Sequence, residues 1–274
     1  MIDNVYITAS IVIYNNSEED LNNLINNLIT SCIDKIYIID NSIEKYNYQF
    51  KNYSKIEYVF LNHNPGFGTS HNIALRNAIL SDSKYHFIIN PDIYLESYVI
   101  DEMCRFMIEN NEVGMMMPKI LNFDGTIQYL PKLLPTPSLI FIRSIGFLKK
   151  MFENKLINYE LRHLDESQSL NVPVISGCFS VLKIESIIKI GGYDERFFMY
   201  FEDWDLSRRI HNEYKTIYWP KVSVFHGYEG GAKKNLKLFK IFIASFIKYF
   251  NKWGWIIDYN RTKINNTIFN KVVK

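Results

Sequence analysis

The segment KIYIIDNS, residues 35–42, is a short apolar run that ends in three polar residues. Its β-branched and aromatic side chains favour a strand, and its nearly continuous hydrophobicity is typical of a strand buried on both faces. Similar runs occur at residues 6–14, 56–62 and 85–92. Helices are predicted between them, at residues 17–31 with Ser17 as N-cap, and from the glycines near residue 66 to about Leu80. This alternation predicts an α/β fold with a parallel sheet covered by helices.

The pattern changes after residue 95. A helix is predicted at about residues 97–110, and strand-like runs follow at 113–120, 172–184 and 216–226. Residues 122–170 contain several prolines and show no clear periodicity, so no element is assigned to them. Because no repeat and no low-complexity linker interrupts the chain, we expect one continuous domain before the tail.

Composition excludes several classes of protein. The 274 residues are 47% hydrophobic, which supports a sizeable core, and the net charge of +2 argues against a nucleic-acid binder. Three scattered cysteines suit a reducing compartment and exclude a disulfide framework or a cysteine zinc site. No basic segment precedes the first apolar run, and no run of about 18 apolar residues occurs, so neither a signal peptide nor a spanning helix is expected. These features predict a cytosolic protein.

Polar residues follow each of the predicted strands of the first half. They are Asn15, then Asp40 with Asn41, then residues 64–68, then Asn90 with Asp92. Each is ordinary turn chemistry when taken alone. Ligands of open α/β sheets bind beyond the carboxyl ends of the strands, so four such groups on one edge predict a binding site there.

Two of these strand ends have recognisable chemistry. In NPGFGTSHN, residues 64–72, Gly66 and Gly68 follow a strand and open a helix, which allows close backbone approach to an anion. A dinucleotide fingerprint would need a third glycine where His71 stands, so a dehydrogenase is not favoured. Asp92, in NPD, suits either a hard cation that bridges a diphosphate or a simple turn.

The segment FFMYFEDWDLSRR, residues 197–209, places three acids against apolar residues. A helix that begins near Phe201 or Glu202 would favour carboxylates in its first turn, and the two arginines can pair with one of them. Asp203 and Asp205 would point about 200° apart on a helix, so we expect one to be chemical and the other structural. An apolar pocket raises the pKa of a carboxylate and makes it a better base. The aromatic run before the acids is expected to form the pocket wall.

The ordered motifs resemble those of inverting family 2 glycosyltransferases with the GT-A fold, in particular the bacterial rhamnosyltransferase-like group that builds O-antigen and other surface polysaccharides. The resemblance covers nearly the whole chain and lies in SIVIYNN, IIDNS, NPGFGTSHN, IINPD, SGCFSVLK, FFMYFEDWDLSRR and VSVFHGYEGG. It implies a Rossmann-like, mostly parallel central sheet flanked by helices. It also implies a catalytic domain at residues 1–232, with a nucleotide-binding half at 1–95 and an acceptor half at 96–232.

The resemblance also implies roles for individual residues. Asp203 would be the general base of a single displacement, and Glu202, Trp204 and Asp205 would orient the acceptor or the helix. The nucleotide sugar would be bound by Tyr14, Asn15, Asp40, Asn64, Gly66, Gly68, Asn72 and Asn90. Asp92 and His226 would hold Mg²⁺ or Mn²⁺, with the donor diphosphate supplying most ligands because NPD keeps one carboxylate of the family's metal motif. A buried histidine with a backbone partner is the alternative for His226.

The implied substrates follow from the same resemblance. The donor would be dTDP-L-rhamnose and the acceptor a lipid-linked saccharide at the inner-membrane surface, with no nucleic-acid partner. Two alternatives stay open: another nucleotide-sugar donor of the UDP-hexose type, or a nucleotide-sugar-binding protein without turnover.

The tail, residues 233–274, is predicted to be a basic amphipathic helix. At 100° per residue, Lys233, Lys234, Lys237, Lys240, Lys248 and Lys252 fall within an arc of about 120°, and most of the remaining circumference is apolar. Such a helix favours peripheral attachment to an anionic membrane, here on its cytoplasmic face. A helix that packs on the domain and exposes its lysines is the alternative.

Overall fold

The computed structural model describes residues 5–227 and 235–272. Its strands are β1 (Ile7–Ile13), β2 (Lys35–Asp40), β3 (Ile56–Phe60), β4 (Tyr85–Ile89), β5 (Ile93–Tyr94), β6 (Val113–Leu121), β7 (Leu170–Asn171), β8 (Phe179–Lys183) and β9 (Lys215–His226). Its α-helices are α1 (Glu18–Thr30), α2 (Phe67–Leu80), α3 (Ser97–Glu109), α4 (Pro137–Ser144), α5 (Gly146–Met151), α6 (Glu153–Tyr159), α7 (Ile184–Ile190), α8 (Glu202–His211), α9 (Leu236–Trp253) and α10 (Tyr259–Val272).

These strands form one sheet in the order β3-β2-β1-β4-β8-β6-β9-β5, with β7 paired to β9. The strands β1 to β4 are mutually parallel, which confirms the prediction from the first half of the chain. β8 runs antiparallel between β4 and β6, and β6 is parallel to β9. The carboxyl ends of β1, β2, β3 and β4 therefore share one edge.

Burial explains why these segments are strands. Every residue of β4 is buried, and β1 and β2 are buried almost throughout, because helices cover both faces of the sheet. The N-terminus of α1 is closed by a reciprocal capping box between Ser17 and Asp20, as the sequence predicts.

A buried polar chain fixes α2 on the sheet. Ser10 Oγ lies 2.7 Å from His71 Nδ1 and 2.8 Å from His86 Nε2. Burial lowers the pKa of both imidazoles, that of His86 to about 3, so both rings stay neutral. His71, at the position where a dinucleotide fingerprint would have glycine, thus anchors the helix that carries the glycine loop.

The structure differs from the sequence prediction in two regions. The unassigned residues 122–170 contain α4, α5 and α6, and the strand predicted at 172–184 begins only at Phe179. Before that point, Val174 forms one isolated bridge to Lys132. Within the described residues, no helix is long and apolar enough to cross a bilayer. The end of the VSVFHGYEGG motif and the predicted basic positions Lys233 and Lys234 lie outside the described residues.

Candidate active site

The ends of β1 and β2 form one side of the candidate site. Asp40 is fully buried; its Oδ2 accepts a hydrogen bond from the Tyr58 hydroxyl at 2.5 Å and its Oδ1 accepts one from the Ser42 N–H at 2.9 Å. Burial and the Asp40 carboxylate raise the pKa of the Tyr58 hydroxyl. Asn15 has a φ of 58° and donates its N–H to Ser42 Oγ at 2.8 Å, while Tyr14 is half-exposed at the rim. Ser42 and Tyr58 therefore shape this end, and sequence reasoning did not select them.

The glycine loop is locked against the segment that precedes α8. Asn64 Oδ1 accepts from the Gly66 N–H at 3.0 Å, and the Phe67 N–H donates to the Phe198 carbonyl at 2.9 Å. Gly66 has a φ of 101°, and a Cβ there would lie 2.2 Å from the Phe198 oxygen. Only glycine fits this position. The loop predicted to approach the diphosphate is thus fixed to the acidic segment.

Asn72 also bonds to the segment that precedes α8. Its Oδ1 accepts from the Tyr193 N–H at 2.8 Å, and its Nδ2 donates to the Tyr193 carbonyl at 2.9 Å and to Glu195 at 3.0 Å. Gly68 packs on Tyr193, where a Cβ would come within 2.8 Å of the side chain. The structure therefore gives Asn72 and Gly68 a role in joining α2 to residues 193–195, and their contact with a donor stays a prediction.

The acidic helix α8 begins at Glu202, one of the two predicted positions. Tyr200 and Phe201 before it both adopt the left-handed region, with φ of 69° and 67°. This conformation is costly for side chains of their size and persists only where packing enforces it. Phe201 is buried among Trp204, Phe242 and Tyr249, which supplies that packing.

Asp203 is held by two backbone donors. Its Oδ2 accepts from the Gly177 N–H at 3.0 Å and its Oδ1 from the Trp204 N–H at 2.9 Å. Burial raises the pKa of Asp203, and the two N–H groups and the Lys132 ammonium oppose that rise. Burial lowers the pKa of Lys132 itself to about 7. Gly177 and Lys132 were missed from sequence, although Gly177 lies within the SGCFSVLK motif.

The neighbouring acid has a different environment. Glu202 is 5% exposed, and its Oε2 has no hydrogen-bond partner among the described residues. Burial and then the charge of Asp203 raise the pKa of Glu202 well above its ordinary value. Since Asp203 has the donors that stabilise a carboxylate, Asp203 is the member of the pair that ionises and Glu202 the one that stays protonated.

Asp205 is bound by side chains of α8 and α9. It has no exposed surface; its Oδ2 accepts from Arg209 Nε at 2.8 Å, and its Oδ1 accepts from Trp253 Nε1 at 2.9 Å and Lys252 at 2.6 Å. These bonds tie α8 to α9. Trp204 is partly buried and packs on Tyr249 of α9. Acceptor contacts of Asp205 and Trp204 stay predictions.

Two rings of the aromatic run before the acids belong to the core. Phe197 and Phe201 are 0% and 2% exposed and form a cluster with Ile140 of α4 and with Tyr249 and Phe250 of α9. The expectation that this run lines a sugar pocket is therefore wrong for these two rings. They face the tail helix, because α9 needs a buried partner for its own aromatic face.

Asp203 and Asp92 lie at the same edge of the sheet. Gly177 donates to Asp203, and the next residue, Cys178, accepts from the Asn90 N–H at 2.8 Å through its carbonyl oxygen. Asn90 Oδ1 is buried without a hydrogen-bond partner in the described part of the chain, so it is available to a ligand. The short segment 176–178 thus connects the proposed base with the NPD turn.

Asp92 and His226 form the candidate cation site. His226 Nε2 lies 3.4 Å from Asp92 Oδ1, a buried oxygen without a hydrogen-bond partner in the described residues. The described residues contain no group of three or more metal-ligating side chains. Two ligands fit a cation that takes its other ligands from phosphate and water. The ring of His226 also contacts a side chain, since its Nδ1 lies 3.0 Å from Gln128 Oε1. The alternative interpretation, a buried histidine with a backbone partner, stays a prediction.

Solved structures share this architecture. The chain superposes on GalNAc-T7, in a structure with UDP, GalNAc and Mn²⁺, with a TM-score of 0.60 and 12% identity over 89% of this chain and 48% of that one. For residues 1–349 of Staphylococcus aureus TarS in complex with UDP, the TM-score is 0.57 with 12% identity over 97% of this chain and 71% of that one. The chain has the GT-A glycosyltransferase fold.

A third GT-A structure and two curated relatives extend the comparison. The mannosyltransferase PcManGT of Pyrobaculum calidifontis, in complex with GDP-Man and Mn²⁺, gives a TM-score of 0.55 with 13% identity over 89% of this chain and 64% of that one. Among curated proteins, the low-salt glycan biosynthesis hexosyltransferase Agl10 of Haloferax volcanii is 26% identical over 74% of the chain. The N-acetylglucosaminyl-diphospho-decaprenol L-rhamnosyltransferase of Mycobacterium tuberculosis is 27% identical over 60% of it.

The match to these relatives is partial. The chain spans 62% and 56% of their respective lengths. No protein-family model matches the chain. The named relatives and structures are glycosyltransferases, and two of the structures contain Mn²⁺.

Proposed function

We propose that this protein is an inverting glycosyltransferase that uses Asp203 as its general base. The observation that carries the proposal is the convergence at one sheet edge of a half-buried carboxylate with two backbone donors, a glycine loop and the Asp92–His226 pair. The glycosyltransferase relatives support the same reaction class.

The reaction would be a single displacement. An acceptor hydroxyl attacks the anomeric carbon of the donor while its proton passes to a carboxylate oxygen of Asp203. The bond from that carbon to the phosphate oxygen breaks, and the nucleoside diphosphate departs with the electron pair. No covalent bond between sugar and enzyme forms. Protonated Glu202 keeps a second negative charge away from the base, which preserves the ability of Asp203 to ionise.

The candidate cation site would stabilise the leaving group. Asp92 and His226 would hold Mg²⁺ or Mn²⁺, and the bound ion would offset charge on the departing diphosphate. The Mn²⁺-containing GT-A structures support this choice of cofactor. Asn90 and the glycine loop at Gly66 would bind the same diphosphate, and Asp40, Asn15 and Tyr14 would bind the nucleoside.

For the donor we propose dTDP-L-rhamnose, and for the acceptor a lipid-linked saccharide. Support comes from the Mycobacterium relative, whose name specifies an L-rhamnosyltransferase and a decaprenol-linked substrate. The hexosyltransferase relative supports the wider class and leaves a UDP-hexose type of donor as the second candidate. Turnover with a panel of nucleotide sugars, followed by mass spectrometry, separates the two.

Asp203→Asn tests the reaction. We expect transfer to fall by about 10²- to 10⁴-fold, because the amide cannot accept the proton, while binding of the nucleoside diphosphate by calorimetry stays within about twofold. Asp82→Asn is the matched control, since Asp82 has a φ of 55°, which asparagine tolerates, and no assigned role. Unchanged transfer in Asp203→Asn would show that another group is the base, and donor binding without any turnover in the wild type would favour a non-catalytic binding protein.

A further inference from the structure

Gln128 connects the candidate cation site to a hairpin for which the sequence predicts nothing. It follows the turn at residues 122–126, in which Asn122 Nδ2 donates to Thr126 Oγ1 at 2.9 Å. From there, the Gln128 side chain reaches His226 at both its backbone and its ring. The bonds of this one carboxamide decide which nitrogen of His226 faces Asp92.

The orientation of the Gln128 amide is fixed by what surrounds its nitrogen. Nε2 lies 2.9 Å from the His226 carbonyl oxygen and 2.8 Å from Asn122 Oδ1. A carbonyl oxygen only accepts hydrogen bonds, so the Gln128 atom beside it must be the NH₂ group. A flipped amide would place two oxygens against each other there.

The ring of His226 is then fixed in turn. Gln128 Oε1 lies 3.0 Å from His226 Nδ1, and because this oxygen can only accept, Nδ1 carries the proton. In a neutral imidazole the other nitrogen, Nε2, then presents its lone pair. Nε2 is the atom 3.4 Å from Asp92 Oδ1, so a cation bound to the carboxylate is within reach of the Nε2 lone pair.

We propose that Gln128 is a positioning residue of the cation site, which selects the Nδ1–H tautomer of His226 and so aims the Nε2 lone pair at the ion beside Asp92. Hydrogen bonds from the outer nitrogen of a metal-binding histidine commonly have this effect, and their loss costs about 10- to 100-fold in metal affinity. The inference rests on the proposed function, since that function places the cation between Asp92 and His226.

The variant Gln128→Met tests it, because methionine has a similar length and cannot accept the Nδ1 proton. Nitrogen-15 spectra of the imidazole, recorded without metal at a pH where the ring is neutral, should show Nδ1–H in the wild type and a shift toward Nε2–H in the variant. Mn²⁺ affinity in the presence of dTDP or UDP, measured by electron paramagnetic resonance, should fall by about 10- to 100-fold.

Asn122→Ala is the control variant. It removes one acceptor of Gln128 Nε2 and loosens the same turn, but it leaves both bonds between Gln128 and His226. We expect Mn²⁺ affinity within about threefold of the wild type, which would separate the tautomer effect from a general weakening of the hairpin.

Two results would overturn this inference and leave the proposed function standing. The first is that His226 of the wild type is in the Nε2–H form. The second is that Gln128→Met binds Mn²⁺ as tightly as the wild type does, while Asp92→Ala binds it weakly. Absence of Mn²⁺ binding by the wild type with either nucleotide would instead remove the metal from the proposed function, and the inference with it. If sugar transfer still proceeds without a divalent cation, the proposed role of Asp203 as general base does not depend on the metal.

Discussion

Two adjacent carboxyl groups of the candidate site, Glu202 and Asp203, have opposite environments. Asp203 accepts two backbone hydrogen bonds, whereas Glu202 is buried with an oxygen that has no partner in the described residues. A glutamine amide is uncharged and has nearly the shape of a protonated glutamic acid, with one acceptor oxygen and an N–H donor in place of the O–H. Glu202→Gln should therefore be tolerated at a pH where the acid is neutral in both states, and it should be stabilising at a pH where the unfolded wild type ionises.

The sign of the pH dependence follows from the raised pKa of Glu202. Between its ordinary value of 4.5 and its higher value in the fold, the folded state keeps a proton that the unfolded chain has lost. Wild-type stability therefore falls as the pH rises through this range. We expect Glu202→Gln to match the wild type near pH 4.5 and to exceed it by about 1–3 kcal/mol at pH 8, measured by urea unfolding.

The control for this experiment is Glu44→Gln, which changes an exposed acid. Its effect should be within about 0.5 kcal/mol and nearly independent of pH. If Glu202→Gln is destabilising at pH 8, Glu202 is ionised in the fold and the division of tasks between the two acids is wrong.

Sequence reasoning at this scale found residues whose chemistry shows in local order. Helix geometry separates Asp203 from Asp205 without choosing between them, and the family resemblance selects Asp203. Asp40, Asn90 and Asp92 follow apolar strands, so each could be selected without a structure. Gly177 and Gln128 could not, because each is defined by a partner far along the chain: 26 residues separate Gly177 from Asp203 and 98 separate Gln128 from His226.

At the scale of elements, the packing of α9 on α8 is the least expected feature. Arg208 of α8 is 1% exposed and its Nη2 donates to both oxygens of Asp258, each at 2.8 Å, at the start of α10. Its guanidinium lies 4.0 Å from the centre of the Trp253 ring. Together with the bonds of Asp205 to Trp253 and Lys252, this pair attaches both tail helices to the acidic helix of the site.

Asp258→Ala should therefore be strongly destabilising. It leaves the buried Arg208 charge without its carboxylate, and it removes the acceptor of the Arg261 N–H in the first turn of α10. We expect a loss of about 3–5 kcal/mol in free energy of unfolding. The exposed pair Lys215–Glu112 gives the control, since Glu112→Ala should lower the free energy of unfolding far less than Asp258→Ala does. Equal losses in the two variants would contradict a buried ion pair.

The helices and strands that the sequence predicts correctly are those with a clear local pattern. The strands β1 to β4 and the helices α1 and α2 follow from hydrophobic runs and caps, and they are confirmed. The helices α4 to α6 have six to eight residues each, too few for a clear period. The burial of Phe197 and Phe201 could not be predicted from the local sequence either, since the side chains that cover them come from α9, near the end of the chain.

At the scale of the whole molecule, α9 has one face on the domain and one that is exposed. Lys248 donates to the Arg196 carbonyl and Lys252 to Asp194, so two lysines of the predicted basic arc bind the protein, whereas Lys237 and Lys240 are exposed. Beside them an apolar stripe is also exposed, at Leu236, Phe239, Ile243 and Ile247. The helix therefore packs on the domain, as the alternative interpretation states, and keeps a second amphipathic face that is exposed. Attachment of that face to a membrane stays a prediction.

We propose that this exposed face attaches the protein to an anionic membrane surface, where a lipid-linked acceptor would be found. Lysines next to apolar side chains on one exposed face suit the boundary between headgroups and acyl chains. Deletion of residues 233–274 is a poor test, because it also removes Tyr249, Phe250 and Asp258 from the buried contacts of the site.

The sharper test replaces only exposed side chains: Phe239→Ser, Ile243→Ser and Ile247→Ser in one variant. We expect binding to vesicles of phosphatidylglycerol and phosphatidylcholine to fall by about tenfold or more in sedimentation, because the stripe loses apolar area that would be buried in lipid. The control variant combines Leu80→Ser and Ile188→Ser, at side chains that are 82% and 64% exposed on α2 and α7, and it should bind vesicles as the wild type does.

Lys237 and Lys240 would add an electrostatic attraction to anionic lipid. Binding of the wild type should therefore also weaken with added salt and with neutral vesicles. If the triple variant sediments with vesicles like the wild type and keeps its thermal stability, α9 does not face the membrane, and the acceptor is reached through another surface.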